Sequence, residues 1–209
     1  MPQDYYQKAI KLQKEVARMV ITKDTFDKHL GSICGVDVSY RNNMAYCSAV
    51  IMRRNDFHII RYANTIRTVE YPYIPGLFML RESEPILDTL SLLKNQFDLL
   101  LIDAHGINHP LKCGLASYIG VMTNNPTIGV AKNFLCGYVR KDQFIQIDRV
   151  LVGFKLKNEN KKPIYISAGH RISLETAINI VKELISSQER IPEPLRIADI
   201  ISKKISKTF

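Results

Sequence analysis

The sequence predicts an α/β protein in which helices flank one mixed β-sheet. Three features support this prediction: β-branched segments joined by short turns, a later apolar run typical of a buried parallel strand, and stretches of helical periodicity around them. The chain has 209 residues, a length that suits one domain, and it contains no repeat or linker. We therefore expect a single domain over residues 1–209.

The first half of the chain is predicted to form a helix and then a three-stranded antiparallel meander. Residues 4–21 place apolar side chains at helical spacing with lysines between them. Three segments rich in β-branched and aromatic residues follow, separated by polar turns, at 33–40, 45–52 and 57–69. A loop with two prolines and a glycine over 71–76 then leads into a helix that ends near Asn95.

The second half is predicted to add parallel strands and the remaining helices. Residues 98–103 are almost continuously apolar, as expected for a strand that is covered on both faces. Ser173 is a suitable N-cap for a long helix that is ended by Pro192 and Pro194. The other predicted elements are a helix over 113–122, a strand over 127–131, a hairpin over 137–154, a strand over 163–167 and a last helix over 195–205.

Composition excludes several classes of protein. With 46% hydrophobic and 23% charged residues, the chain is neither disordered nor fibrous. No apolar run approaches the roughly 20 residues of a membrane-spanning helix, and no secretory leader is visible, so we expect a cytoplasmic protein without a membrane partner. The four cysteines lack C-x-x-C spacing, which argues against zinc and disulfides. The net charge of +9 is compatible with a nucleic-acid partner.

Three carboxylates stand where the predicted elements would meet. Asp37 lies within the predicted strand Gly35–Ser39, on the face opposite its valine neighbours. Asp103 ends the buried strand, at the position where open α/β sheets bind ligands. Glu82 lies at the start of a helix, where a lone acid is usually a favourable contact with the helix dipole. A packed sheet could bring all three side chains together.

Three anions in one cleft would repel each other and would need a cation. Oxygen-only ligands favour a hard ion such as Mg²⁺, which commonly completes its shell with water and substrate phosphate. The pattern therefore predicts metal-assisted cleavage of a phosphodiester. The alternative for Asp37 is an edge position where the carboxylate merely meets solvent.

Two further residues could handle phosphate. Lys132 follows the strand predicted over 127–131, where an ammonium can contact phosphate as a point charge, and its alternative is an ordinary surface lysine. His170 is predicted to follow a strand and to precede a helix N-cap, in a glycine-containing loop beside Arg171, which suits an anion. Its alternative is a structural histidine.

Together these motifs resemble the endonuclease V family, whose members have a ribonuclease H-like fold and act beside deaminated adenine. The resemblance covers nearly the whole chain. It is carried by seven blocks in the family's order, which are Gly35–Ser39, Pro72–Leu77 with Arg81–Glu82, Ile102–Asp103 with Gly106–Pro110, Gly114–Ser117, Gly129–Lys132, Gly169–Arg171 and Ile191–Pro194.

The resemblance implies a ribonuclease H-like mixed sheet and a set of functional residues. Asp37, Glu82 and Asp103 would bind Mg²⁺, for which Mn²⁺ would substitute. Lys132 and His170 would assist at the phosphate. Tyr73 would be a wedge that fills the gap left by a flipped inosine. The residues implied around the base are Gly76, Leu77, Phe78, Ala104, His109 and Leu115.

The implied activity is a DNA-repair reaction that hydrolyses the second phosphodiester on the 3′ side of inosine and leaves a 5′-phosphate and a 3′-hydroxyl. DNA is favoured over RNA as the partner, and the protein is expected to be a monomer. Two other functions stay open: a ribonuclease H-like nuclease that cuts junctions, hybrids or inosine-containing RNA, and a nucleic-acid-binding protein without activity. The three mutually repelling acids argue against the second of these.

The sequence departs from the family pattern at three positions. Ala104 stands where the family commonly has glycine, Leu111 where it often has arginine, and Ala168 where many members have proline. The first departure bears on the base, because glycine permits the closest backbone approach and the methyl group of Ala104 could narrow the pocket. None of the three departures falls on a proposed metal ligand.

Overall fold

A computed structural model describes residues 3–26, 29–69, 78–94, 96–157 and 161–208, without the side chains of residues 3–6, 78 and 80. Its strands are β1 (Ser32–Arg41), β2 (Met44–Arg53), β3 (Ile59–Thr68), β4 (Leu99–Ile102), β5 (Thr127–Ala131), β6 (Tyr138–Val139), β7 (Phe144–Ile147), β8 (Val150–Leu156) and β9 (Ile164–His170). Its helices are α1 (Gln3–Ala17), α2 (Phe78–Leu92), α3 (Leu115–Thr123), α4 (Leu174–Glu183) and α5 (Glu193–Thr208). No helix within these ranges is long and apolar enough to cross a membrane.

The strands form one mixed sheet in the order β3-β2-β1-β4-β5-β9-β8-β7-β6. β1, β2 and β3 are the predicted antiparallel meander. β1, β4 and β5 run parallel at the centre, and β4 is buried at all four positions, as expected for a strand covered on both faces. The predicted fold class, a mixed sheet flanked by helices, is confirmed.

Helices cover both faces of the sheet. The core beneath α2 and α3 includes Cys34, Val36 and Ile102, whereas the core beneath α4 and α5 includes Ile33 and Leu101. Side chains of a strand point alternately to the two faces. The odd-numbered residues of β1 therefore face α5, and this parity directs Asp37 toward that helix.

α5 lies unusually close to β1 because β1 carries no side chain at Gly35. A Cβ atom there would lie 2.3 Å from the carbonyl carbon of Pro194 and 2.7 Å from the backbone nitrogen of Leu195. Gly35 is two residues before Asp37 on the same face of the strand. The glycine therefore allows the start of α5 to dock beside the strand that carries Asp37.

Several predicted boundaries differ from the structure. The predicted hairpin over 137–154 is three strands, β6 to β8. Pro194 lies in the first turn of α5, where a proline lacks no needed hydrogen bond. Glu82 lies one turn inside α2, and β9 extends three residues beyond the predicted end to include His170. The last difference changes where His170 lies in the molecule.

Candidate active site

A cavity of about 510 Å³ lies at the carboxyl ends of the central parallel strands. Val36 of β1 pairs with Ile102 of β4, so Asp37 and Asp103 are the next residues along two neighbouring strands. Glu82, from α2, lines the same cavity. The structure therefore brings the three predicted acids to one place, together with Lys132, which follows β5.

Asp37 is almost completely buried, with 9% of its surface exposed. One of its carboxylate oxygens, Oδ2, accepts a hydrogen bond of 2.8 Å from the hydroxyl of Ser202 on α5. Burial and the Asp103 carboxylate raise the pKa of Asp37 to about 6, against the opposing effects of Ser202 and of the Lys132 charge. The positive charge near Asp37 is thus too small to offset the effects of burial and of the Asp103 carboxylate on its ionised form.

Glu82 shows the same imbalance. Its pKa is raised to about 7, chiefly by burial and also by the charges of Asp37 and Asp103, and the Tyr40 hydroxyl opposes this shift. The guanidinium of Arg81 stacks 4.1 Å from the centre of the Tyr40 ring, which fixes the ring beside Glu82. Two of the acids therefore take up protons more readily than free carboxyl groups do.

Lys132 is the cation that reaches into the acidic cluster. Its ammonium forms an ion pair with Asp103 and lies 3.4 Å from Oδ1 of Asp199 on α5. Burial lowers the pKa of Lys132. The carboxylates of Asp103, Asp37 and Asp199 raise it by more than burial lowers it, so the net shift is upward. Lys132 is therefore fully charged at neutral pH.

Asp199 is a fourth carboxylate in the cavity that the sequence analysis did not identify. Its Oδ2 is 2.7 Å from the ammonium of Lys203, one turn further along α5. The signal for it is indirect: Ser202, three positions after Asp199, belongs to the buried stripe of α5, and this burial is known only from the structure. Small polar residues in a buried helix face indicate a polar neighbour.

The donor set suits a hard divalent cation. Carboxylate oxygens from four elements line one cavity, and two of the acids have raised pKa values because of burial and mutual repulsion. As the side chains lie, no group of three His, Cys, Asp or Glu residues in the described part of the chain is arranged to hold a metal ion. Binding a cation would thus require side-chain rotation.

A second, narrower pocket adjoins the cavity, and His105 and Leu135 line both. Of the residues implied around a base, His109 and Leu115 line this second pocket and Ala104 lines the larger cavity. Sequence reasoning missed Gln13 of α1, which lines the second pocket and donates to the carbonyl of Cys113. The predicted residues Tyr73, Gly76 and Leu77 lie outside the described residues, and of Phe78 only the backbone is described.

His170 lies away from the acids. β9 runs antiparallel to β5, so Ala131 at the cavity end of β5 pairs with Tyr165, whereas His170 pairs with Thr127 at the opposite end. The Nδ1 atom of His170 accepts a hydrogen bond of 3.3 Å from the backbone N–H of Ile21. The structure does not bring His170 together with Lys132, and it favours the structural alternative for this histidine.

Comparisons with known proteins agree with the fold and the site. The family model for Endonuclease V matches residues 14–200. An endonuclease V from Dictyoglomus thermophilum is 37% identical over 207 residues, which cover 95% of this chain and 90% of the relative. An endonuclease V from Thermofilum pendens is 35% identical over 206 residues, which cover 96% of this chain and 89% of the relative.

A solved structure is also similar. Ciona intestinalis endonuclease V, in complex with a 24mer DNA containing an inosine followed by a ribo-adenosine, superposes with a TM-score of 0.89 and 28% identity over 98% of each chain. The shared architecture is the ribonuclease H-like fold. On these grounds the chain belongs to the endonuclease V family, a family of metal-dependent nucleases, and is itself a hydrolytic enzyme.

Proposed function

We propose that this nuclease is an Mg²⁺-dependent endonuclease that recognises inosine in nucleic acid and hydrolyses the second phosphodiester on its 3′ side. The observation that carries the proposal is the convergence of Asp37, Glu82, Asp103 and Asp199, with Lys132, on one cavity beside a narrower pocket. Acids for a metal and a neighbouring site for a base are the two parts that such a reaction needs.

The four carboxylates are the residues that would hold the metal. When bound, Mg²⁺ supplies a more acidic water and stabilises charge that develops on the phosphate and on the leaving 3′ oxygen. The hydrogen bond from Ser202 holds Asp37 in place from α5. The products would carry a 5′-phosphate and a 3′-hydroxyl.

Lys132 has the position and the charge to contact the scissile phosphate. Its ammonium already lies between Asp103 and Asp199, and its pKa is raised, so it stays protonated throughout the neutral range. An ammonium at this point would neutralise one phosphate oxygen as a point charge. His170 has no role in this proposal because it lies beside the far end of β5.

The narrower pocket, which has a volume of only about 10 Å³ as the side chains lie and would have to open, is our candidate for the flipped base. Hypoxanthine presents O6 as an acceptor and N1–H as a donor, the reverse of adenine, so backbone N–H and C=O groups are enough to distinguish the two. We propose that Gly76, Leu77, Phe78 and Ala104 supply those groups. His109 and Leu115 would form the walls.

Tyr73 would fill the gap that the flipped nucleotide leaves, at a cost of a few kcal/mol for unstacking. Its replacement by alanine should weaken discrimination between inosine-containing and undamaged strands. An unchanged ratio of the two cleavage rates would count against the wedge.

We propose DNA as the substrate, with RNA as an arm of the test. The Ciona relative was solved with inosine-containing DNA in which a ribonucleotide follows the inosine. Discrimination between the two sugars depends on contacts to the 2′-hydroxyl. The cytoplasmic location and the monomeric state stay predictions from the sequence.

A cleavage assay tests the proposal directly. Matched oligonucleotides with and without one inosine, each made as DNA and as RNA, are incubated with the full chain in Mg²⁺, Mn²⁺ or EDTA. We expect cleavage at the second bond 3′ to inosine in either metal and no cleavage in EDTA. If strands with and without inosine were cut equally, the result would favour a general ribonuclease H-like nuclease. If only the RNA strands were cut, the substrate would be RNA and not DNA.

A further inference from the structure

Two aromatic rings in one wall of the large cavity, those of His105 and Phe134, pack against a third ring, that of Tyr165. Phe134 packs against Tyr165 with ring centres 5.6 Å apart, and Tyr165 lies 6.4 Å from the imidazole of His105. Tyr165 belongs to β9 and is only 9% exposed. The innermost ring is therefore held by the sheet, and it supports Phe134 from behind.

Phe134 is the exposed member of this wall, with 45% of its surface accessible. The described residues include fourteen exposed large hydrophobic side chains, and Phe134 is the one among them that also lines the large cavity. Single exposed apolar residues need no explanation on a surface. A supported aromatic ring that faces the acids of a nuclease is different, because every base has a flat face that stacks on such a ring.

The position of Phe134 along the chain indicates which nucleotide of the substrate strand would stack on its ring. Lys132, which we place at the scissile phosphate, is two residues before it, and Leu135, which also lines the narrower pocket, is the next residue. Along the chain, Phe134 thus lies between a residue of the proposed phosphate site and a residue of the proposed base pocket, and all three line the large cavity. When the second bond 3′ to inosine is cut, the nucleotide that spans this interval is the one immediately 3′ to inosine.

We propose that Phe134 is a stacking platform for the base of that nucleotide. This inference rests on the proposed function and goes beyond it, because it assigns a binding site for an undamaged base. Stacking depends on the presence of a π-face and is largely tolerant of base identity. The site would hold the strand straight between the flipped inosine and the acids without adding sequence preference.

Binding titrations with abasic substitutions test this assignment. Fluorescent oligonucleotides that contain inosine are made with the 3′ neighbour intact or replaced by an abasic nucleotide, and affinities are measured in Ca²⁺ for the full chain. We expect Phe134→Ala to weaken binding of the intact strand by roughly 5- to 100-fold, the range of one base–aromatic stack. On the abasic strand the same substitution should have almost no effect.

Further variants separate stacking from bulk. Phe134→Tyr should bind like the wild type, whereas Phe134→Leu, which keeps an apolar side chain, should lose most of the affinity. Tyr62→Ala removes another exposed aromatic ring, on the outer strand β3, and should leave affinity unchanged. An equal loss on intact and abasic strands, a coupling to a different nucleotide, or full affinity in Phe134→Leu would overturn the proposal.

The two proposals fail in different ways. Absence of inosine-dependent cleavage by the wild type would refute the proposed function, whatever Phe134 does. Inosine-dependent cleavage at the second bond, with unaltered binding by Phe134→Ala, would leave the proposed function intact and refute the stacking site.

Discussion

Ser202 of α5 donates a hydrogen bond of 2.8 Å to Asp37 of β1, and 165 residues separate the two along the chain. Both side chains are buried. Removal of the hydroxyl leaves a buried carboxylate without this donor, which typically costs about 1–3 kcal/mol. The contact therefore ties the geometry of one acid to the docking of the last helix.

We expect Ser202→Ala to reduce kcat about 10-fold with a smaller change in KM, because the hydrogen bond positions Asp37 and does not bind substrate. Single-turnover cleavage and thermal unfolding measured on the same preparation separate the two effects. Ser206→Ala, one turn further along α5 and also buried, is the matched control. Equal losses of kcat in both variants would show a general disturbance of the helix.

Asp199→Asn is expected to lower kcat roughly 100-fold, since several kcal/mol of charge stabilisation at the phosphate depend on the metal. Asp37→Ala and Asp103→Ala should abolish cleavage while inosine binding stays detectable. Mn²⁺ affinity, measured by titration calorimetry, should fall at least 10-fold in each variant. Asp56→Asn changes an exposed acid that pairs with Arg53 in the turn after β2, and it is the control. Wild-type Mn²⁺ affinity in Asp199→Asn would remove Asp199 from the metal site.

Gly35→Ala should destabilise the protein strongly. The added methyl group would lie 2.3 Å from the Pro194 carbonyl carbon, so the backbone of α5 must move. Overpacking of this kind costs about 1–3 kcal/mol and would also shift Asp199 away from Asp37. Gly31→Ala is the control, because a Cβ there meets only a side-chain oxygen of Asp98 at 3.7 Å. Urea midpoints and activity are the measurements, and equal midpoints for the two variants would contradict the close packing.

We expect His170 to make the folded protein less stable against unfolding as the pH falls. Burial, and then the charge of Arg171, lower the pKa of His170 below its ordinary value. On acidification, His170 therefore takes up a proton at a higher pH in the unfolded chain than in the folded protein. The contribution of neutral His170 to the free energy of unfolding is complete above about pH 6.5. It is lost as the pH falls through that value, by at most about 1.4 kcal/mol per pH unit.

His170→Asn isolates this contribution, since asparagine can still accept the Ile21 hydrogen bond but does not titrate. Unfolding free energies at pH 7.5, 6.5 and 5.5 should fall less steeply in the variant than in the wild type. Parallel curves for the two proteins would show that His170 is not held neutral by the fold. Cleavage at pH 7.5 should be unchanged in the variant, because His170 lies away from the acids.

The central sheet could be predicted from the chain because its signals are local. β-branched runs separated by polar turns predicted β1 to β3, and an unbroken apolar run predicted β4. The position of Asp103 followed directly, as the residue after a buried parallel strand. The local sequence around Asp37 or around Glu82 is weaker evidence for a functional site. The two residues share a cavity because Val36 pairs with Ile102 and because α2 packs against the sheet.

Prediction failed where direction and distance through space mattered. The glycine-containing segment around His170 has the composition of an anion-binding loop, yet it continues a strand that runs antiparallel to β5 and ends at the far edge. Asp199 belongs to a helix whose apolar period was visible, but nothing local indicates that this helix lies against the strand that carries Asp37. Phe134 in isolation is one exposed aromatic residue among several.

Residue order alone therefore predicted the fold class, because hydrophobic period and turn chemistry act over a few residues, and it singled out three of the acids that line the cavity. The three-dimensional packing placed Asp199 and Phe134 in the lining of the cavity, joined Ser202 to Asp37, and removed His170 from the site. Those assignments depend on which strands pair, on their relative direction, and on a helix that approaches where Gly35 leaves space. Such contacts join residues that are tens of positions apart or, for Gly35 and Pro194, more than a hundred, and no local pattern encodes them.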